Sequence, residues 1–71
     1  MNAAEWIRAF AEKAGTEPPT TEQFKVLLDV AGEAAHSSER VAAPVACWVA
    51  AKAGLEPARA LELAREVSAD G

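Results

Sequence analysis

The stretch Gly15-Thr16-Glu17-Pro18-Pro19-Thr20-Thr21-Glu22-Gln23 decides how the chain is organised. Pro18 and Pro19 cannot continue a helix, and Gly15 follows the last position of an apolar repeat, where a helix commonly ends. Thr20 stands three residues before Gln23, which is the Thr-x-x-Gln form of a capping box. Glu22 falls in the first turn, where a carboxylate meets the positive end of the helix dipole. One helix therefore stops and another starts across a short polar loop, so the two are neighbours in space.

Upstream of that loop, Ala3, Trp6, Ile7, Phe10 and Ala14 recur at steps of three and four, with Glu5, Arg8, Glu12 and Lys13 largely between them. This predicts an amphipathic helix over about residues 2–14. Downstream, Phe24, Leu27, Leu28, Ala31 and Ala35 form the expected apolar face of a second helix, about 20–36, with Lys25, Asp29 and Glu33 in an exposed row. His36-Ser37-Ser38 is the next interruption. Either serine is suited to cap a third helix, about 38–54, with Glu39 in its first turn. Pro44 is expected to kink that helix near Ala43 or to mark a start there, because a proline beyond the first turn removes a ladder hydrogen bond. Val41, Val45, Trp48 and Val49 supply its large apolar groups among alanines, which predicts a central, buried helix. Gly54 ends it, Pro57 suits the first position of a fourth helix, about 57–68, and Ala60, Leu61, Ala64 and Val67 make the inner stripe.

No segment shows strand alternation, an internal repeat or low complexity, so residues 1–71 read as one all-α domain, a compact bundle of four short helices with short loops. Apolar residues make up 51% of the chain, but eighteen of them are alanines. The side chains that bury large areas are few, and the core is expected to be thin. Set against an ordering cost of roughly 1.5 kcal/mol per residue, such a core leaves stability near zero, which gives a partner or a second copy a part in the fold.

Net charge and cysteine usage exclude several functions. A formal charge of −4 and a pI near 4.8 are unsuited to a phosphate backbone, so no nucleic-acid partner is expected. No uncharged apolar run approaches the roughly 18 residues of a membrane span, and the start MNAAEWIRAF has no basic region before an apolar block. The expected location is the cytoplasm. One cysteine and one histidine make neither an internal disulfide nor a metal-ligand cluster. No cofactor is expected.

Polar chemistry concentrates in His36-Ser37-Ser38-Glu39-Arg40, followed by Pro44 and Trp48. These positions are the candidate interaction site. A serine nucleophile needs a base within hydrogen-bond reach and an oxyanion site, which adjacency alone does not provide, so capping is the reading preferred for Ser38. His36 reads as the end of the second helix, beside its free carbonyls. Arg40 has a planar fork that binds two oxygens at once, and it is set either to pair with Glu33 or Glu39 or to meet a partner's carboxylate or phosphate. Cys47 lacks cationic neighbours and reads as a small buried hydrophobe. Trp6 and Trp48 are read as core, and an exposed one would mark an interface. Glu62 and Glu66, interspersed with Arg59 and Arg65, are a solvated helix face. No catalytic residues are assigned.

The run Ala34-Ala35-His36-Ser37-Ser38-Glu39-Arg40-Val41-Ala42-Ala43-Pro44, continued by Ala46-Cys47-Trp48-Val49-Ala50 and Ala53-Gly54-Leu55, resembles a family of small uncharacterised helical domains from high-G+C Gram-positive bacteria. The Trp6-Ile7 pair before Phe10 and the Glu17-Pro18-Pro19-Thr20 turn are similar to that family too, so the resemblance covers nearly the whole chain. Members also occur fused to domains resembling molybdenum-cofactor guanylyltransferases, or near genes for formate dehydrogenase maturation. The resemblance implies a noncatalytic accessory role in molybdenum-cofactor transfer or molybdenum-enzyme maturation. The partner implied is the guanylyltransferase or a molybdenum enzyme such as formate dehydrogenase. The chain has no Gly-rich nucleotide loop, so guanylyl transfer itself does not carry over. Two other classes stand beside this one: a structural homodimer pairing alanine-rich helix faces with no cofactor link, and a small hydrolase or thiol enzyme using Ser38, His36 or Cys47.

Overall fold

A computed structural model describes all residues, Met1–Gly71, as four helices: α1 (Ala3–Ala14), α2 (Thr21–Ser37), α3 (Ala42–Lys52) and α4 (Pro57–Asp70). The ends are set by local chemistry. Thr20 and Gln23 form the expected capping box, the Gln23 amide donating to Thr20 Oγ1 at 3.1 Å and the Thr20 amide to Gln23 Oε1 at 2.8 Å. The same reciprocal pair joins Asn2 and Glu5 at the start of α1, at 2.8 and 2.9 Å.

Gly15 and Gly54 have φ of 78° and 73°, a left-handed conformation that costs an L-residue roughly 1–2 kcal/mol. Each supports a paired closure. Gly15 and Thr16 donate back to Glu12 and Ala11, and Gly54 and Leu55 donate back to Ala51 and Ala50. This satisfies carbonyls that the helix ends leave open. Leu55, carried inward by the second closure, packs on the core.

The α2–α3 junction departs from the sequence expectation. Ser38 does not cap α3. Its amide and hydroxyl both donate backward to the Ala34 carbonyl, at 3.2 and 2.7 Å, so it closes α2. Glu39 to Val41 then form a tight turn in which the Ala42 and Ala43 amides donate to the Glu39 and Arg40 carbonyls. α3 therefore begins at Ala42 and ends at Lys52, shorter than the expected 38–54. Pro44 is its third residue, where an N–H has no intrahelical acceptor, so it fits the first turn without a kink. Pro57 opens α4 as expected, and that helix runs on to Asp70.

α2 is the spine of the molecule. α3 and α4 both pack against it and barely touch one another, while α1, expected to lie beside α2, makes little contact with any of the three. The core is Val30, 2% exposed, against Ala50 and Ala60, with Leu55 and Leu61 partly covered beside it. α3, expected to be central and buried, holds only Ala50 in that core and is a flank. Val30 was not part of the stripe expected to face inward, whereas Leu28, which was, is 60% exposed. The face α2 turns inward is thus rotated toward Val30 and Ala34. α1 is displaced similarly: Ile7 is half-buried and Ala11 buried, whereas Trp6 and Phe10 stack on each other at 5.2 Å and lie mostly in solvent. The radius of gyration, 12.5 Å, exceeds the about 11 Å usual for this length.

Three outcomes in urea or thermal unfolding check this arrangement. Val30→Ala is expected to cost about 2 kcal/mol, whereas Leu28→Ala, though it removes more, costs under about 0.5 kcal/mol; the reverse order would restore the stripe expected from sequence. Gly54→Ala destabilises by about 1 kcal/mol through its backbone alone, since nothing lies within 4 Å of an added Cβ. Gly32→Ala, equally roomy but inside α2, stabilises by roughly 0.5–1 kcal/mol.

Candidate functional site

The polar junction is fully displayed: His36, Ser37, Ser38, Glu39 and Arg40 are all exposed, as are Pro44 and Trp48. No carboxylate pairs with Arg40. The one ion pair in the molecule joins Arg59 to Glu62 at 3.8 Å on α4. His36 lies in the last turn of α2, near the negative end of the helix dipole. Within this segment the structure brings together only the hydroxyls. The Ser37 hydroxyl meets the Ser68 hydroxyl of α4 across the groove, either of the two being able to donate, and Ser68 Oγ also lies 3.2 Å from the Ala64 carbonyl. That bond ties the C-terminal ends of α2 and α4. Ser68 was missed from the sequence because nothing local connects it with Ser37, thirty-one residues away. The Ser38 proton is committed to Ala34, and His36 bonds to none of Ser37, Ser38 and Cys47. Cys47 is half-buried, and burial pushes its thiol pKa up, away from the thiolate.

The second feature is apolar. Val41, Val45, Trp48 and Val49 of α3 are 71, 60, 62 and 53% exposed, and Val67 of α4 is 71% exposed. Trp48 is therefore a surface residue and not the core residue its size suggested; so is Trp6. By helical geometry Val41 and Trp48 project from the side of α3 opposite Ala50, while Val45 and Val49 turn toward α4. Lys52, one turn on, places its ammonium 5.4 Å from the centre of the Trp48 ring. Between α3 and α4, floored by α2, runs a groove of about 610 Å³ with Glu33 as its single charged residue. Ser37, Ser38 and Ser68 lie at one end of it, so the polar junction borders the apolar face.

The whole molecule exposes 5522 Å², whereas a folded monomer of 7.4 kDa is expected to expose about 4200 Å². Large apolar side chains that the four helices do not cover, and helices that meet only through α2, both contribute to that excess. Exposed apolar area of this kind, bordered by polar groups, is characteristic of a surface that meets another molecule.

No curated protein and no solved structure matches the chain. Residues 1 to 70 match the family described as "Domain of unknown function (DUF6457)". With all but the last residue matched, this all-helical chain belongs to that family.

Proposed function

We propose that this protein is a noncatalytic interaction domain that docks through the α2–α3 junction and the apolar face beside it. The observation that carries the reading is the exposure of Trp48 with Val41 and Val45 next to an unpaired Arg40. Tryptophan and arginine are the residues most enriched in binding hot spots, and a polar rim about an apolar centre is the usual anatomy of an interface. The junction contributes direction. His36, at the end of α2, and Glu39 and Arg40, in the turn that follows, offer one imidazole ring, one carboxylate and one guanidinium, suited to a partner that presents both a donor and an acceptor.

The narrower reading concerns who the partner is. The resemblance of the His36–Pro44 run to domains found beside molybdenum-cofactor guanylyltransferases supports an accessory role in loading or maturing a molybdenum enzyme, formate dehydrogenase being the example. In that role the domain holds donor and recipient together and takes no part in the chemistry, in the cytoplasm where the cofactor is assembled.

Affinity capture of the tagged protein from its own host, at native level, tests both readings. Recovery of a molybdenum-cofactor guanylyltransferase or a molybdenum enzyme is expected, reduced at least tenfold by His36→Ala with Arg40→Ala while the circular dichroism stays that of the parent. These two side chains are exposed and unpaired, so their loss leaves the helices intact. Capture of such a partner that is indifferent to both substitutions would place the contact elsewhere, and consistent absence of any molybdenum protein would remove the molybdenum role.

A further inference from the structure

We infer that the apolar face of α3 is covered by the same face of a second copy, so that the folded species is a two-fold homodimer with Val41, Val45, Trp48 and Val49 of each chain at its centre and Val67 at its edge. The inference rests on the reading of this face as a docking surface and names what docks there.

Area is the first argument. Five of the nine large apolar side chains left exposed lie on α3 and the facing edge of α4, the others being Met1, Trp6, Phe10 and Leu28, and the excess of about 1300 Å² over an ordinary monomer, shared among these, is set against the about 800 Å² that each partner contributes to a standard interface. A small ligand seated in the α3–α4 groove does not meet that demand, because Val41 and Trp48 lie outside the groove lining.

Charge is the second argument. From Val41 to Ala51 the chain carries no ionisable group except the Cys47 thiol, which lies on the other side with Ala50 and Ala51, and the one cation on this side is Lys52, whose ammonium rests over the Trp48 ring at the margin of the apolar groups. A two-fold interface sets the same patch against itself, so a patch of one sign repels its copy and an uncharged one does not. The −4 net charge is carried away from this face. Homodimer interfaces are also the more apolar class, whereas partners that come and go rely on charge complementarity that this face lacks.

The third argument is stability. The fully covered residues are one valine and three alanines, with no large side chain completely buried, and there is no disulfide or metal cluster to compensate. A domain this small usually needs such a support or an oligomer. A copy of the same chain is the one partner present whenever the chain is made, and in obligate homodimers folding and association are a single equilibrium.

Sedimentation of the intact chain over a wide concentration range, together with thermal unfolding at the same concentrations, tests this. A mass twice 7.4 kDa and a melting midpoint that rises with concentration are expected. Val45→Glu sets like charges against each other across the two-fold axis. It is expected to weaken self-association at least tenfold, or to lose the helical signal at concentrations where the parent keeps it. Leu28→Glu, equally exposed but on α2 away from this face, is the control and leaves the mass unchanged. In a Trp6→Phe background the emission of Trp48 shifts to shorter wavelength as the dimer forms. A monomer with a concentration-independent midpoint overturns the inference. So does a dimer that survives Val45→Glu and is lost in Leu28→Glu. A monomer that still captures a molybdenum protein through Arg40 would sink the dimer and leave the docking role standing; a dimer that captures nothing would do the reverse for the molybdenum partner.

Discussion

Val30 lies between Ala50 and Ala60, and the positions of α3 and α4 follow from that contact. Alanine at both facing positions lets each helix come close to α2, but a methyl group returns little buried area for the approach. The valine is covered because its neighbours are small, and because they are small the core ends there. α3 and α4 each use their contact with α2 and scarcely meet each other, so the space between them stays open as the groove. A leucine in place of either alanine would fill more volume but would push its helix off Val30, since interiors this close to dense packing do not absorb added methylenes freely.

The open groove and the exposed ridge of α3 are two results of one shortage. α3 is apolar around most of its circumference, a pattern found where a helix is covered on several sides. The chain supplies one cover, α2, on the Ala50 side. α1 follows the same shortage: across the Pro18-Pro19 turn it borders the start of α2 near Phe24 through Ile7, and it scarcely meets α3 or α4. Its Trp6 and Phe10 cover only each other. The chain thus has enough helices for a closed bundle, but its connections do not place them around one centre.

What was legible in the sequence was what is local. The Thr20–Gln23 box, the closures at Gly15 and Gly54 and the Pro57 start are decided within a few residues, and each falls where the pattern put it. The start of α3 was illegible because a serine at a helix junction serves either neighbour, and Ser38 turns back to Ala34. The inward face of α2 was ambiguous for a different reason. Phe24, Val26, Leu27, Leu28, Val30 and Ala31 surround more than half the helix, so stripes centred on Leu28 or on Val30 both satisfy a 3.6-residue period. Nothing in that segment says which side α3 and α4 occupy. In α3 the difficulty is complete: a helix apolar on all sides has no preferred direction, and Trp48 was assigned to the core on size alone. The candidate junction residues were found by their polarity, and they are exposed as a group. Their link through Ser37 to Ser68 depends on the tertiary fold.

The arrangement of charge bears on why this exposed apolar face does not make the chain indiscriminately adhesive. Acids outnumber bases on α2 and, by one, on α4, while the charges of α1 balance, so copies approaching onto α2 meet net like charge before they meet apolar surface. The outer side of α3 carries no carboxylate, and it is flanked by Arg40 at one end and Lys52 at the other, the latter over the Trp48 ring. Between two copies of this face these cations oppose registers that bring them onto each other and favour those that bring them toward the other copy's carboxylates. Specificity at this face therefore comes from the groups around it, and the uncharged centre contributes area. The His36–Arg40 junction remains outside that centre, at its border, where a second contact can form without displacing the first.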